Sequence, residues 1–193
     1  DINKLYEGTK SGNVEAMVLD LASMASIRTF AKDFQAKHAT LHCLVNNAGI
    51  MNTPKSKTQD GFELHFGTNH LGHFLLTNLL IDTLKASAPS RVVNLSSCFH
   101  NDANGRKGHI DFDDLNFESR EYDGWTSYAQ SKLANLLHAR ELARRLDGTG
   151  VTAASVHPGF VKSNLINHSM GTFTQVIMGP ILTHRMGMIE PWE

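Results

Sequence analysis

Four short apolar runs, at 14–21, 41–49, 91–97 and 151–159, alternate with longer stretches whose apolar residues recur at helical spacing. This alternation predicts a parallel sheet, because parallel neighbours need a long crossover and a helix supplies one. The runs are almost unbroken, as in LHCLV at 41–45, and so predict strands covered on both faces. The expected fold is therefore α/β, a Rossmann-like doubly wound parallel sheet. Ser23 reads as the N-cap of a helix with Ile27, Phe30, Ala31 and Phe34 on one face. A second helix is expected over 61–85. A third is expected over 127–146, with Leu133, Leu136, Leu137, Leu142, Ala143 and Leu146 as its core-facing stripe.

In such sheets ligands bind beyond the carboxyl ends of the strands. The residues falling there are Asp20, then Asn46, Asn47, Ala48 and Gly49, then Ser96 and Ser97, then His157, Pro158 and Gly159. All but Ala48 are polar or turn-forming. On the third helix, Tyr128 and Lys132 stand one turn apart and project from the same face. A free phenol has a pKa of about 10, too high for proton transfer near neutrality. A neighbouring ammonium favours the phenolate, which makes Tyr128 a candidate general acid/base and Lys132 the residue that tunes it.

Composition narrows the classes. The 193 residues are 41% hydrophobic and 19% charged, enough for one domain with a sizeable core. A net charge of −1 gives no electrostatic footprint for nucleic acid or an anionic membrane. No apolar run approaches the roughly 18 residues of a membrane span, and no signal peptide pattern is visible. Cys43 and Cys98 lie in or beside strand-like runs, which predicts buried thiols in a reducing compartment. The expected location is the cytoplasm or the cytosolic face of an intracellular membrane. His65, His70 and His73 cluster on one segment, but no Cys or carboxylate set completes a metal site, so no metal is expected.

Five motifs in order carry a family resemblance: NNAG (46–49), NHLGHF (69–74), VVNLSS (92–97), YAQSK (128–132) and HPG (157–159). Together they resemble the short-chain dehydrogenase/reductases. The connecting text, FDDLN (112–116), SKLANLL (131–137), RELARRL (140–146) and TGVT (149–152), is similar to the branch of retinol dehydrogenases and the WW-domain oxidoreductase. The resemblance implies that Ser97 hydrogen-bonds the substrate oxygen and Tyr128 moves the proton. It implies that Lys132 holds the nicotinamide ribose and lowers the tyrosine pKa, and that Asn69 shapes the site and supports a water-linked relay. Asp20 and Leu21 match the pair beside the adenine, and Asn47, Ala48 and Gly49 match the stretch along the adenosine side. Pro158, Gly159 and Ser163 match the carboxamide end, with Ser163 in place of the usual threonine. The implied cofactor is NADP or NAD, with NADP favoured by the resemblance. The implied substrate is a small lipophilic alcohol, aldehyde or ketone, retinoid- or steroid-like.

The sequence also departs from that pattern. Nothing before Val14 resembles the Gly-rich turn that cradles a pyrophosphate, and the family's first, second and last strands are not found. The chain, 1–193, is therefore expected to be a single partial domain from within a longer protein, inactive by itself, with any membrane association residing in other segments. The run at 14–20 corresponds to the family's third strand and 41–45 to its fourth, which are not sheet neighbours. The first run is thus expected to be unpaired or slipped, while the strands at 41, 91 and 151 pair in parallel. A non-catalytic interaction protein of the same fold and an isomerase of the nucleotide-sugar epimerase type remain the alternative functions. The tail at 170–188 reads either as a lipophilic lid or as core helix.

Overall fold

The computed structural model describes residues 14–101 and 108–159. Three parallel strands, β1 (Cys43–Asn46), β2 (Ser90–Leu95) and β3 (Val151–Val156), form one sheet in the order β1-β2-β3. The register aligns Val45 with Val93 and Val93 with Ala154. Helix α1 (Met24–Lys37) precedes β1, α2 (Gly72–Ala86) links β1 to β2, and α3 (Gly124–Arg145) links β2 to β3. A π-helical turn, Phe66–Leu71, runs directly into α2.

Local chemistry sets the ends of these elements. Ser23 caps α1 by accepting from Ser26 N–H at 3.3 Å. Asp123 caps α3 by accepting from Thr126 N–H at 3.0 Å and from the Thr126 hydroxyl at 2.6 Å. Gly148 and Gly150 follow α3 with positive φ of 75° and 76°, and the second brings the chain into β3.

All three helices cover the sheet face that carries Leu44, Val92 and Val151. Leu21, Ile27, Ala31, Leu76 and Leu80 form one cluster between α1 and α2. Leu84, Val92, Leu142, Leu146 and Val151 form a second between the sheet and the ends of α2 and α3. The opposite face carries Cys43, Val45, Val93, Leu95, Ala154 and Val156, of which Val45 is 52% exposed. Both faces being apolar explains the near-continuous runs, although among the described residues only one face is covered. Cys43 is consequently exposed and Cys98 half-buried, both free, where buried thiols were expected.

The first run is unpaired as expected, and one other expectation changes. Residues 14–20 form no strand, and Val18 is 90% exposed. A strand exists only through hydrogen bonds to a neighbour, and no described segment offers this run one. It is held instead by side chains, with Glu15 paired to Lys37 at 2.6 Å and Asp20 folded back on Ala22 N–H at 2.9 Å. The strands at 41, 91 and 151 do pair in parallel. On α3, only part of the leucine stripe is buried: Leu142 and Leu146 are core and Leu133 packs against Phe66, Ile110 and Ala134, whereas Leu137 is 41% exposed and Ala143 is exposed. The buried face is small and polar, with Ser131, Ala134, Asn135, His138 and Ala139 beside Leu142. Small side chains let the helix approach the sheet closely, and its polar groups find partners there. Leu84, fully buried between α2 and β2, tests the packing: Leu84→Ala should cost about 2–5 kcal/mol, read as a lower urea midpoint with an unchanged slope.

Candidate functional site

The site is assembled at the carboxyl edge of the sheet, where β1 and β2 end. After β1 the chain turns through Asn47, Ala48 and Gly49 to Ile50. There the fully buried Asn69 clamps the backbone, its Oδ1 accepting from Ile50 N–H at 2.8 Å and its Nδ2 donating to Ile50 O at 3.0 Å. Nδ2 also donates to Ser131 Oγ at 3.0 Å, tying the same residue to α3. Asn69 lies inside the π-helical turn, whose wider winding frees backbone carbonyls for outside donors. Its own carbonyl accepts from Asn135 Nδ2 at 3.0 Å and from His73 Nδ1 at 3.0 Å.

Lys132 reaches the same point from α3. Its Nζ donates to Leu95 O at 3.2 Å, and Ser96 Oγ donates to the Lys132 carbonyl at 2.8 Å. Burial pulls the ammonium down to a pKa of about 8. Gly49 is what allows the convergence: a Cβ there would stand 2.9 Å from Asn69 Oδ1 and 3.6 Å from Lys132 Nζ. The missing side chain lets the loop backbone pack directly against both groups.

Tyr128 lies one turn before Lys132, its ring centroid 5.5 Å from Nζ. Burial raises the phenol pKa, while the Ser97 hydroxyl that faces it pulls the value down and the neighbouring Cys98 adds to the rise. A tyrosine lowered by its lysine was expected. The structure gives a raised one, because burial outweighs Ser97 and the Lys132 ammonium is directed at the Leu95 carbonyl rather than at the phenol. Ser97 caps the short turn Cys98–His100, accepting from Phe99 N–H at 3.4 Å. Phe99 and Trp125 stack at 5.1 Å, and each meets Tyr128 edge to face, at 6.0 and 6.5 Å.

The structure thus brings Ser97, Tyr128, Lys132 and Asn69 into one place. Asn47, Ala48, Pro158 and Gly159 follow β1 and β3 at the same edge and are exposed. Asp20 is exposed at the start of α1, where Gln59 Nε2 reaches its Oδ2 at 3.4 Å, and Leu21 is core rather than surface. Ser163 and the segment 170–188 lie outside the described residues.

Sequence reading missed Asn135. Its Nδ2 donates to Leu95 O at 3.0 Å as well as to Asn69 O, and its Oδ1 accepts from His70 Nδ1 at 3.1 Å. Its position, three after Lys132 and seven after Tyr128 on one helix face, was the available signal. His138 was missed too; its Nδ1 accepts from Asn94 Nδ2 at 3.2 Å. Among the described residues no group of three or more His, Cys, Asp or Glu side chains could hold a metal ion. No helix there is long and apolar enough to cross a membrane.

Known proteins share this arrangement of strands and text. The profile of the short chain dehydrogenase family matches residues 2–108. The chain belongs to the short-chain dehydrogenase family. It is 51% identical over 176 residues to retinol dehydrogenase 13 of Homo sapiens, covering 90% of this chain and 52% of that protein. It is 55% identical over 163 residues to retinol dehydrogenase 11 of Homo sapiens, covering 83% and 49%. The chain spans about half the length of these curated relatives. Among solved structures, an uncharacterised protein from Mycobacterium paratuberculosis is 43% identical with a TM-score of 0.69, covering 86% of this chain and 58% of that one. The RhlG/NADP complex of Pseudomonas aeruginosa is 27% identical with a TM-score of 0.59, covering 79% and 56%.

The histidines behind the site of this short-chain dehydrogenase give it a measurable acid limit. Burial pushes His73 down to about 4, with the backbone carbonyl of Asn69 opposing and the Lys132 charge reinforcing. Burial likewise pushes His138 to about 4, reinforced by His70 and His73. The unfolded chain binds these protons near pH 6.5 and the folded one does not. Stability from this source is therefore complete above about pH 6.5 and falls as the pH drops towards 4, by a few kcal/mol. Urea unfolding across that window should show the fall, and His138→Gln should make it shallower.

Proposed function

We propose that the whole protein is a nicotinamide-dependent oxidoreductase acting on a lipophilic alcohol, aldehyde or ketone, retinoid- or steroid-like, with Tyr128 as general acid/base. The observation that carries this is the convergence of the Tyr128 phenol, the Ser97 hydroxyl and the Lys132 ammonium at the carboxyl edge of the sheet. The 51–55% identity to retinol dehydrogenases 13 and 11 supports the lipophilic substrate. A similar structure that holds NADP supports NADP(H) over NAD(H).

The residues present fit the nicotinamide-ribose end of such a cofactor. Lys132 gives only one of its hydrogen bonds to a described protein acceptor, which leaves ammonium hydrogens for the hydroxyl groups of a ligand beside Gly49. Lys132 would hold the ribose hydroxyls, with Asn47, Ala48, Pro158 and Gly159 along the remainder and the exposed Asp20 towards the adenine. The bound cofactor supplies the hydride chemistry. The chain's own residues handle the oxygen. Ser97 donates a hydrogen bond to the substrate oxygen and fixes its position. Tyr128, held protonated by burial, gives its proton to that oxygen as a carbonyl is reduced. Ser97 and the Lys132 charge then stabilise the phenolate left behind, and Asn69 supports its reprotonation through water. In alcohol oxidation the phenolate takes the proton back.

The 193-residue chain by itself is expected to bind dinucleotide weakly and to turn over nothing, because residues 1–13 contain no Gly-rich pyrophosphate turn. Titration with NADPH or NADH fluorescence checks this. In the whole protein, Tyr128→Phe keeps the ring and removes the proton, so turnover followed by cofactor absorbance should fall about 10²–10⁴-fold with cofactor affinity little changed. Lys132→Ala should weaken both. Near-normal turnover in Tyr128→Phe contradicts the assignment.

A further inference from the structure

Beside Tyr128 lies a second buried polar cluster. Glu63 is 1% exposed and His65 is 0% exposed. Every group aimed at the Glu63 carboxylate is a donor: His65 Nδ1 at 3.0 Å, Phe66 N–H at 2.8 Å and the Tyr122 hydroxyl at 3.2 Å. The hydrogen bonds assign the imidazole proton. Thr53 N–H donates to His65 Nε2 at 3.2 Å, so Nε2 is the acceptor and Nδ1 carries the hydrogen that Glu63 receives. Tyr122, 3.1 Å from Nδ1, can only accept there and gives its own proton to Thr53 O at 3.1 Å or to Glu63. Burial pushes the Glu63 carboxyl up, yet these donors together bring it below its ordinary value, so it is an anion. The neutral imidazole then meets the Tyr128 ring edge to face at 6.4 Å and 73°.

The cluster is joined to the start of α3 at two further points. Gly124 packs so closely on the chain before it that a Cβ would meet Asn52 Oδ1 at 2.8 Å and Thr53 O at 3.0 Å. Ser127, immediately before Tyr128, has a buried hydroxyl lying towards the Glu63 carboxylate without closing a hydrogen bond to it. A buried carboxylate is expensive, and an apolar group would fill the same space at lower cost. A glutamine would turn an amide N–H towards at least one donor. Only an ionised acceptor satisfies this set.

We propose that Glu63 is a positioning residue: it fixes His65 as the Nδ1–H tautomer in one orientation, and the His65 ring in turn sets the orientation of the Tyr128 phenol. Neither residue touches substrate, since both are closed off from solvent. The proposal rests on Tyr128 being the acid/base. A small misplacement of a reacting group can cost up to about 10²-fold in rate, so the effect belongs in kcat and not in cofactor binding.

The test uses the whole protein labelled with ¹⁵N at histidine. The expected spectrum at neutral pH shows His65 as the neutral Nδ1–H form; an Nε2–H tautomer or an imidazolium overturns the proposal without any variant being made. Glu63→Gln is expected to lose that tautomer and to lower kcat by about 10- to 100-fold, with the KM for cofactor within about twofold. A folded Glu63→Gln with unchanged kcat, or with the Nδ1–H form intact, overturns it as well. Tyr128→Phe assayed alongside separates the two readings: an active Tyr128→Phe removes the acid/base assignment itself, whereas an inactive one beside a fully active Glu63→Gln removes only the role given to Glu63.

Discussion

Buried amides govern this structure. Asn69 and Asn135 are almost fully inaccessible, and each must find hydrogen bonds or cost the fold a large fraction of its stability. They find them in the backbone of the loop after β1, in the π-helical turn, in α3 and at the end of β2. These elements are thereby locked together at one point. Gly49, Lys132 and Tyr128 surround that point, so the interaction that closes the fold also places the site.

The expense of this arrangement is visible in its charges. Lys132 is held at a pKa of about 8 by burial, a penalty of about 3 kcal/mol for charging it, and His73 and His138 are held neutral. A core chosen for stability alone would place leucines here, as the leucine spacing of α3 suggests it should. Instead Leu137 is exposed and Leu133 and Leu136 are half-buried, while Ser131, Asn135 and His138 face inward beside Leu142. Such a departure from simple patterning is expected where a helix must carry chemistry as well as packing.

What could be read from the sequence follows the range of the physics involved. Tyr128 and Lys132 were legible because helical spacing is local, and the Ser23 cap and the strands at 91 and 151 were legible for the same reason. The run at 14–20 carries strand-like text, but a strand is defined by its neighbour, so its unpaired state was legible only through the strand order that the resemblance implies. The inward face of α3 was hidden because burial of Asn135 and His138 depends on partners in the π-helical turn and β2, distant in sequence. Glu63 and His65 looked like ordinary residues at a helix start. Only the approach of Tyr122 and Thr53, from two separate loops, makes them a unit. The raised pKa of Tyr128 was hidden too, since spacing places a lysine nearby but does not say which acceptor it faces.

A crystal structure of the whole protein with NADP(H) tests the central claim most directly, that the closure of the fold and the placement of the site are one event. The expected result is the ribose hydroxyls seated over Gly49 within hydrogen-bond reach of Lys132 Nζ, with the Asn69 clamp on Ile50 intact. A dinucleotide bound elsewhere, or bound over Gly49 with Asn69 released from Ile50 and Ser131, would contradict it.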